Sequence, residues 1–116
     1  MPVTIYHNPL CSKSRKALTI IEEAGYLPEV IEYLKTALSQ KTLETLASQI
    51  PGGARSMLRD SFEMYHSLNL DDDQWTDDEL IGFMAEFPQL INRPIVATEK
   101  GVRLCRPPEV VLDILP

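Results

Sequence analysis

The spacing of apolar residues changes several times along the chain, and each change marks an element. Val3 to His7 (V-T-I-Y-H) is β-branched and aromatic and reads as a first strand. Asn8-Pro9 breaks it. Ala17, Leu18, Ile20, Ile21 and Ala24 then fall at helical spacing, which predicts a helix from about Ser12 to Ala24 with Gly25 as its stop. Glu29 to Leu34 (E-V-I-E-Y-L) reads as a second strand. Strand, helix and strand in this order form a βαβ unit, so the two strands are expected to run parallel.

The middle of the chain is helical in period. Leu43, Leu46, Ala47 and Ile50 predict a helix over Thr42 to Ile50, which Pro51-Gly52-Gly53 ends. Met57, Leu58, Tyr65 and Leu68 fit one or two short helices between Ala54 and Leu70. Thr76-Asp77-Asp78-Glu79 has the form of a capping box ahead of Leu80, Ile81, Phe83, Met84 and Phe87. Strand signals return after Arg93-Pro94. Ile95 to Thr98, the turn Glu99-Lys100-Gly101, and Val102 to Cys105 make a hairpin. Pro107-Pro108 opens a final helix, Glu109 to Leu115. The order is β-α-β, a helical insert over about 36–91, then β-β-α. That order suits an α/β fold with a four-stranded mixed sheet flanked by helices.

Length and composition narrow the class. A chain of 116 residues is expected to form one domain over 1–116. With 44% hydrophobic and 24% charged residues it has enough apolar surface to bury, which excludes a disordered chain. No run approaches the roughly 20 apolar residues of a membrane helix. The first residues lack the layout of a secretory signal, because Cys11, Ser12, Lys13 and Ser14 interrupt it. Two cysteines, Cys11 and Cys105, make no disulfide scaffold and favour a reducing compartment. A soluble, cytoplasmic protein is expected, with neither membrane nor nucleic acid as a partner.

The net charge of −6 is unevenly placed. Residues 60–92 hold nine acids and no Lys or Arg, while the remainder has eight acids and eleven bases, a net of +3. Acids at Asp77, Asp78 and Glu79 fall in a first helical turn, where the helix dipole favours them. The acidic run therefore reads as capping and solvated surface. No metal is expected, since His and Cys ligands are missing nearby. The mildly basic remainder contains Cys11 and all the arginines, and suits a small anion.

Cys11 stands where a strand ends and a helix begins, in H-N-P-L-C-S-K-S-R. Open α/β sheets place ligands outside the carboxyl ends of their strands. The first helical turn has unpaired N–H groups and partial positive charge. These groups, with Lys13, Arg15 or other cations, are expected to lower the thiol pKa, and the same N–H groups, with the Ser12 and Ser14 hydroxyls, to hold the oxygens of a tetrahedral anion. Cys105 lies at a strand end and is expected to pack in the core. The motif is C-x-x-S, with Ser14 in place of a second cysteine. An adduct on Cys11 must therefore be resolved by an outside thiol unless Cys105 approaches. Arg59 (S-M-L-R), Arg93 (I-N-R-P) and Arg106 (L-C-R-P-P) sit at element edges. Guanidinium forks match the oxygens of an oxyanion.

H-N-P-L-C-S-K-S-R, S-M-L-R, I-N-R-P-I-V and R-L-C-R-P-P-E-V-V-L-D-I-L together resemble the glutaredoxin-linked arsenate reductase family over nearly the whole chain. That resemblance implies a thioredoxin-like fold with a helical insert. It implies Cys11 as the nucleophile, and Arg59, Arg93 and Arg106 as substrate-binding residues for arsenate or a similar oxyanion. His7 and Ser14 match positions that tune the nucleophile, and Pro94 matches a proline expected in cis. Glutathione is the implied co-substrate and glutaredoxin the implied partner, with no bound cofactor. A reductase of the same fold acting on another substrate is the alternative. The resemblance also takes in transcription regulators that bind RNA polymerase, but their C-x-x-C switch is impossible with Ser14.

Overall fold

The computed structural model describes residues 2–116. In chain order come strand β1 (Thr4–His7), helix α1 (Ser12–Glu23), strand β2 (Glu29–Glu32), and helices α2 (Gln40–Gln49), α3 (Gly53–Ser56), α4 (Glu63–Ser67) and α5 (Asp77–Glu86). A 3-10 turn over Pro88–Leu90, strands β3 (Ile95–Thr98) and β4 (Gly101–Leu104), and a 3-10 helix over Pro108–Asp113 complete it. Contacts divide the chain into two compact units. One runs to Thr36 and resumes over Arg93–Pro116; the other is Ala37–Asn92.

The first unit is a four-stranded mixed sheet in the order β2-β1-β3-β4. β1 pairs in parallel with β2, with Ile5 opposite Val30 and His7 opposite Glu32. β1 pairs antiparallel with β3, a pairing the sequence did not announce, and β3 pairs antiparallel with β4, as the hairpin pattern predicts. Side chains alternate along β1, so Val3 and Ile5 share one face. They join Ala17 and Ile21 of α1, Val96, Cys105, Val111, Ile114 and Leu115 in a single buried cluster. The βαβ crossover is what lays α1 over this face.

α1 ends in a Schellman arrangement. Gly25, at φ +94°, donates to the Glu22 carbonyl, and Tyr26 donates to the Ile21 carbonyl at 3.2 Å. Glycine adopts that left-handed backbone without the steric cost a Cβ brings. Tyr26 then packs against the cluster and donates its hydroxyl to the Pro116 carbonyl.

The second unit is helical. α2 packs on α3 and α5, and Leu43, Leu46, Ala54, Met57, Leu80, Ile81 and Met84 are buried. Thr76 and Glu79 form the expected capping box, with Glu79 N–H donating to Thr76 Oγ1 and Thr76 N–H to Glu79 Oε1. Arg55 donates to the Leu70 and Asp72 carbonyls, both at 2.8 Å, and so ties down the acidic loop.

Several boundaries differ from the expectation. β2 stops at Glu32, because Lys35 and Thr36 N–H turn back to the Glu32 carbonyl instead of continuing the ladder. α2 begins at Gln40, two residues before Thr42, because Ser39 caps it through Thr42 N–H. The final segment expected as a helix over Glu109–Leu115 is 3-10, Pro108–Asp113. Of the predicted apolar face of α1, Ala17 and Ile21 are buried, Leu18 and Ile20 partly so, and Ala24 is exposed. The third buried position of that row is the polar Ser14. The short 3-10 turn Pro88–Leu90 carries no apolar period that could announce it.

Candidate active site

The loop from His7 to Cys11 is organised by Asn8. Asn8 Oδ1 accepts from Leu10 N–H at 3.0 Å, and the Asn8 carbonyl accepts from Cys11 N–H at 3.0 Å. Asn8 N–H donates to Ser14 Oγ at 3.1 Å. A short side chain that mimics a backbone turn is the known use of Asn before Pro. The sequence marks Asn8-Pro9 as a strand breaker; its role in shaping the site shows only in these bonds. Arg15 adds a clamp, donating from Nη1 to the Pro9 carbonyl at 2.8 Å.

This turn sets Cys11 as the N-cap of α1, with an extended backbone (φ −96°, ψ 122°). The thiol makes no capping bond of ordinary geometry. Burial alone would raise its pKa, yet the net direction is down. The backbone N–H groups of Ser14 and Lys13 and the charges of Arg93 and Arg106 together outweigh burial. Each of these favours the thiolate. Lys13 and Arg15 are exposed, Arg15 tied to the Pro9 carbonyl, and the cations that lower the thiol are Arg93 and Arg106 rather than the expected Lys13 and Arg15. No acidic residue occupies the first turn of α1 to offset them.

His7 and Ser14 are both buried, and His7 Nδ1 lies 2.6 Å from Ser14 Oγ. Burial lowers the His7 pKa; Glu32 opposes that shift and Arg15 adds to it, leaving the ring neutral at pH 7. Arg93 and Arg106 flank the β3–β4 hairpin and meet at its open end, where Ile95 pairs with Leu104. Arg106 Nη1 donates to the Arg93 carbonyl at 2.9 Å, and Cys105 N–H donates to the Pro94 carbonyl at 2.9 Å. The Arg93–Pro94 bond is cis, as expected, and so is Arg106–Pro107. The first unit thus brings together Cys11, His7, Ser14, Arg93 and Arg106.

Arg59 belongs to the second unit. Its N–H donates to the Leu90 carbonyl at 2.7 Å beside the Leu58–Ile91 bridge, and its guanidinium lies 5.1 Å from the Phe62 ring centroid. Cys105 is fully buried in the apolar cluster, and burial pushes its thiol up to about 12. Such a thiol is inert at neutral pH. Among the described residues no group of three His, Cys, Asp or Glu side chains is placed to hold a metal ion, and no helix is long and apolar enough to cross a membrane.

A thiolate at a helix start, faced by two guanidinium charges, fits nucleophilic attack on a small oxyanion. Comparison with known proteins bears on which one. The ArsC family matches residues 6–114. An arsenate reductase of Acidiphilium multivorum is 51% identical over 98% of this chain and 81% of its own length, and one of Escherichia coli has the same identity and coverage. The solved structure of an arsenate reductase from Vibrio cholerae superposes with a TM-score of 0.94 at 49% identity, covering 99% of this chain and 98% of that one.

Proposed function

The chain belongs to the ArsC family, and we propose that it is an oxidoreductase that reduces arsenate to arsenite through a covalent intermediate on Cys11. The observation that carries the catalytic assignment is the Cys11 thiol at the α1 N-terminus, its pKa lowered against burial by backbone N–H groups and by Arg93 and Arg106.

The reaction divides into three thiol steps. The Cys11 thiolate attacks arsenic and water leaves, forming a sulfur–arsenic bond. Arg93 and Arg106 offset the charge on the arsenate oxygens, and the helix N–H groups add donors. Arg59 is a third oxyanion ligand on the strength of its motif. A glutathione thiolate then attacks the Cys11 sulfur. The electron pair of the sulfur–arsenic bond leaves with arsenic, which departs as arsenite, and Cys11 becomes a mixed disulfide with glutathione. Glutaredoxin takes up the glutathione by thiol exchange and returns the free thiol. Two thiol electrons reduce one arsenate, and no bound metal or organic cofactor takes part. The outside thiols are needed because Ser14 replaces a resolving cysteine and Cys105 is buried and protonated. A reducing cytoplasm, where glutathione is abundant, suits two free cysteines.

The test is arsenite production by the purified protein with glutathione and glutaredoxin. Cys11→Ser is expected to abolish turnover and Cys105→Ser to keep most of it. Loss of turnover in a folded Cys105→Ser variant would overturn the external-thiol scheme.

A further inference from the structure

We propose that Leu10 is the contact on which a thiol-carrying protein docks at Cys11 to restore its thiol. The proposal rests on the reading of Cys11 as a nucleophile restored by an outside thiol, and deepens it by assigning the surface used.

Exposure alone does not mark Leu10, because single exposed leucines are ordinary. Leu10 is 88% exposed, and Leu27 is 94% exposed. Their places in the fold differ. β1 and β2 run parallel, with Thr4 opposite Glu29 and His7 opposite Glu32. Leu27 precedes β2, at the amino ends of the two strands. Leu10 follows β1, at the carboxyl ends, and is the neighbour of Cys11 in the chain. Consecutive Cα atoms are about 3.8 Å apart, so a protein surface that closes on the Cys11 sulfur meets Leu10.

The hydrogen bonds of the loop decide what it offers. Asn8 N–H donates to Ser14 Oγ at 3.1 Å, Leu10 N–H to Asn8 Oδ1 at 3.0 Å, and Cys11 N–H to the Asn8 carbonyl at 3.0 Å. Pro9 has no N–H, and its carbonyl accepts from Arg15 Nη1 at 2.8 Å. Every backbone N–H from Asn8 to Cys11 is thus bonded within the chain. The loop presents the apolar side chain of Leu10 instead, with Pro9 exposed beside it. Cys11 is only 8% exposed, so a partner's thiol approaches the sulfur across this rim.

The chemistry of the last thiol step selects the occupant. Cys11 is then a mixed disulfide with glutathione. The partner's thiolate attacks the glutathione sulfur. The old sulfur–sulfur bond breaks with its electron pair on Cys11, and a new disulfide joins partner and glutathione. One disulfide replaces another, so no oxidant or reductant is consumed. The lowered pKa of Cys11 makes it a good leaving group. A small hydrophilic thiol buries little of a leucine that points into solvent. A protein whose thiol is ringed by apolar side chains buries it and removes that surface from water. The occupant is therefore a thiol protein with an apolar rim.

The test takes the full chain with Cys11 converted to its glutathione disulfide and follows release of the Cys11 thiol by two reductants, glutaredoxin and dithiothreitol. Leu10→Ser is expected to lower kcat/KM for glutaredoxin about tenfold, the scale of a lost apolar interface contact. It is expected to leave the dithiothreitol rate unchanged. Leu10→Met keeps an apolar side chain of similar size and is expected to recover most of the loss. Leu27→Ser, an equally exposed leucine at the other end of the strands, is expected to match the parent with both reductants. An unchanged glutaredoxin rate in Leu10→Ser, an equal loss with dithiothreitol, or an equal loss in Leu27→Ser overturns the docking contact. No arsenate is present, so failure of arsenate reduction leaves the result standing, and loss of the docking contact leaves the reductase reading standing. A parent disulfide that glutaredoxin leaves intact ends the partner reading and this proposal with it.

Discussion

The Cys11 sulfur occupies the position that Ser, Thr, Asp or Asn usually fill at a helix start. A neutral thiol is a poor cap, but a thiolate accepts from the same N–H groups those residues satisfy. The folded protein therefore binds the thiolate more tightly than the thiol. The ordinary thiol value is 9.0, and the folded value lies below it. Stability from this group is complete above the unfolded value and is lost as pH falls through the folded one. Reactivity follows the same ionisation. Iodoacetamide alkylation, or thiolate absorbance in the ultraviolet, is expected to titrate below 9.0 and to vanish in Cys11→Ser. An inflection at the free-cysteine value would remove the activated nucleophile. Cys105 shows the opposite environment in the same chain. Its pKa of about 12 comes from burial against apolar neighbours, with Arg103 opposing that shift and Asp113 reinforcing it.

Among the elements, α1 and α5 contrast in how they treat their N-termini. α5 spends three acids and a capping box on its first turn, and all of them are exposed. α1 leaves its first turn without an acid and surrounds it with Lys13, Arg15 and Lys16. The first arrangement serves stability, whereas the second gives up helix stability and leaves donors free for an anion. Thr76→Ala removes one cap acceptor from α5 and is expected to cost about 1 kcal/mol in denaturant unfolding, within the usual range for a lost N-cap. Glu79→Gln keeps a hydrogen-bonding group and is expected to cost less. Equal stability of Thr76→Ala and the parent would show that the capping box contributes nothing.

On the scale of the whole molecule, the proposed anion site predicts linkage between ligand and stability. A ligand that binds only the folded state at 100 times its dissociation constant adds about 2.7 kcal/mol. Arsenate, and more weakly sulfate or phosphate, is expected to raise the melting temperature of the parent. Arg59→Ala, Arg93→Ala and Arg106→Ala are each expected to shrink that rise and to weaken arsenate binding in calorimetric titration. The Arg→Lys variants are expected to recover only part, because an ammonium lacks the guanidinium fork. Three alanine variants that bind arsenate like the parent would leave Cys11 without its anion site. An arginine with a purely structural role would instead lower the melting temperature without changing anion affinity.

What the sequence determined by itself is what local chemistry encodes. Period-2 and period-3.6 patterns, Gly25 after α1, the Thr76–Glu79 box and the Pro-broken strand end each act through neighbours a few residues away, so β1, α1, α5 and the β3–β4 hairpin were legible with their register of inside and outside nearly right. The placement of Cys11 at a strand-to-helix junction, with the N–H groups of Lys13 and Ser14 beside it, was legible for the same reason. Boundaries set by competing hydrogen bonds were not legible. The stop of β2 at Glu32, the Ser39 cap and the 3-10 form of Pro108–Asp113 depend on which carbonyl a given N–H finds in space. The tertiary structure alone decided that Arg93 and Arg106, thirteen residues apart, act on one thiol. It alone set His7 beside Ser14 and opposite Glu32. Such pairings arise from sheet order and strand register, and these follow from the burial of the whole apolar set rather than from any one segment.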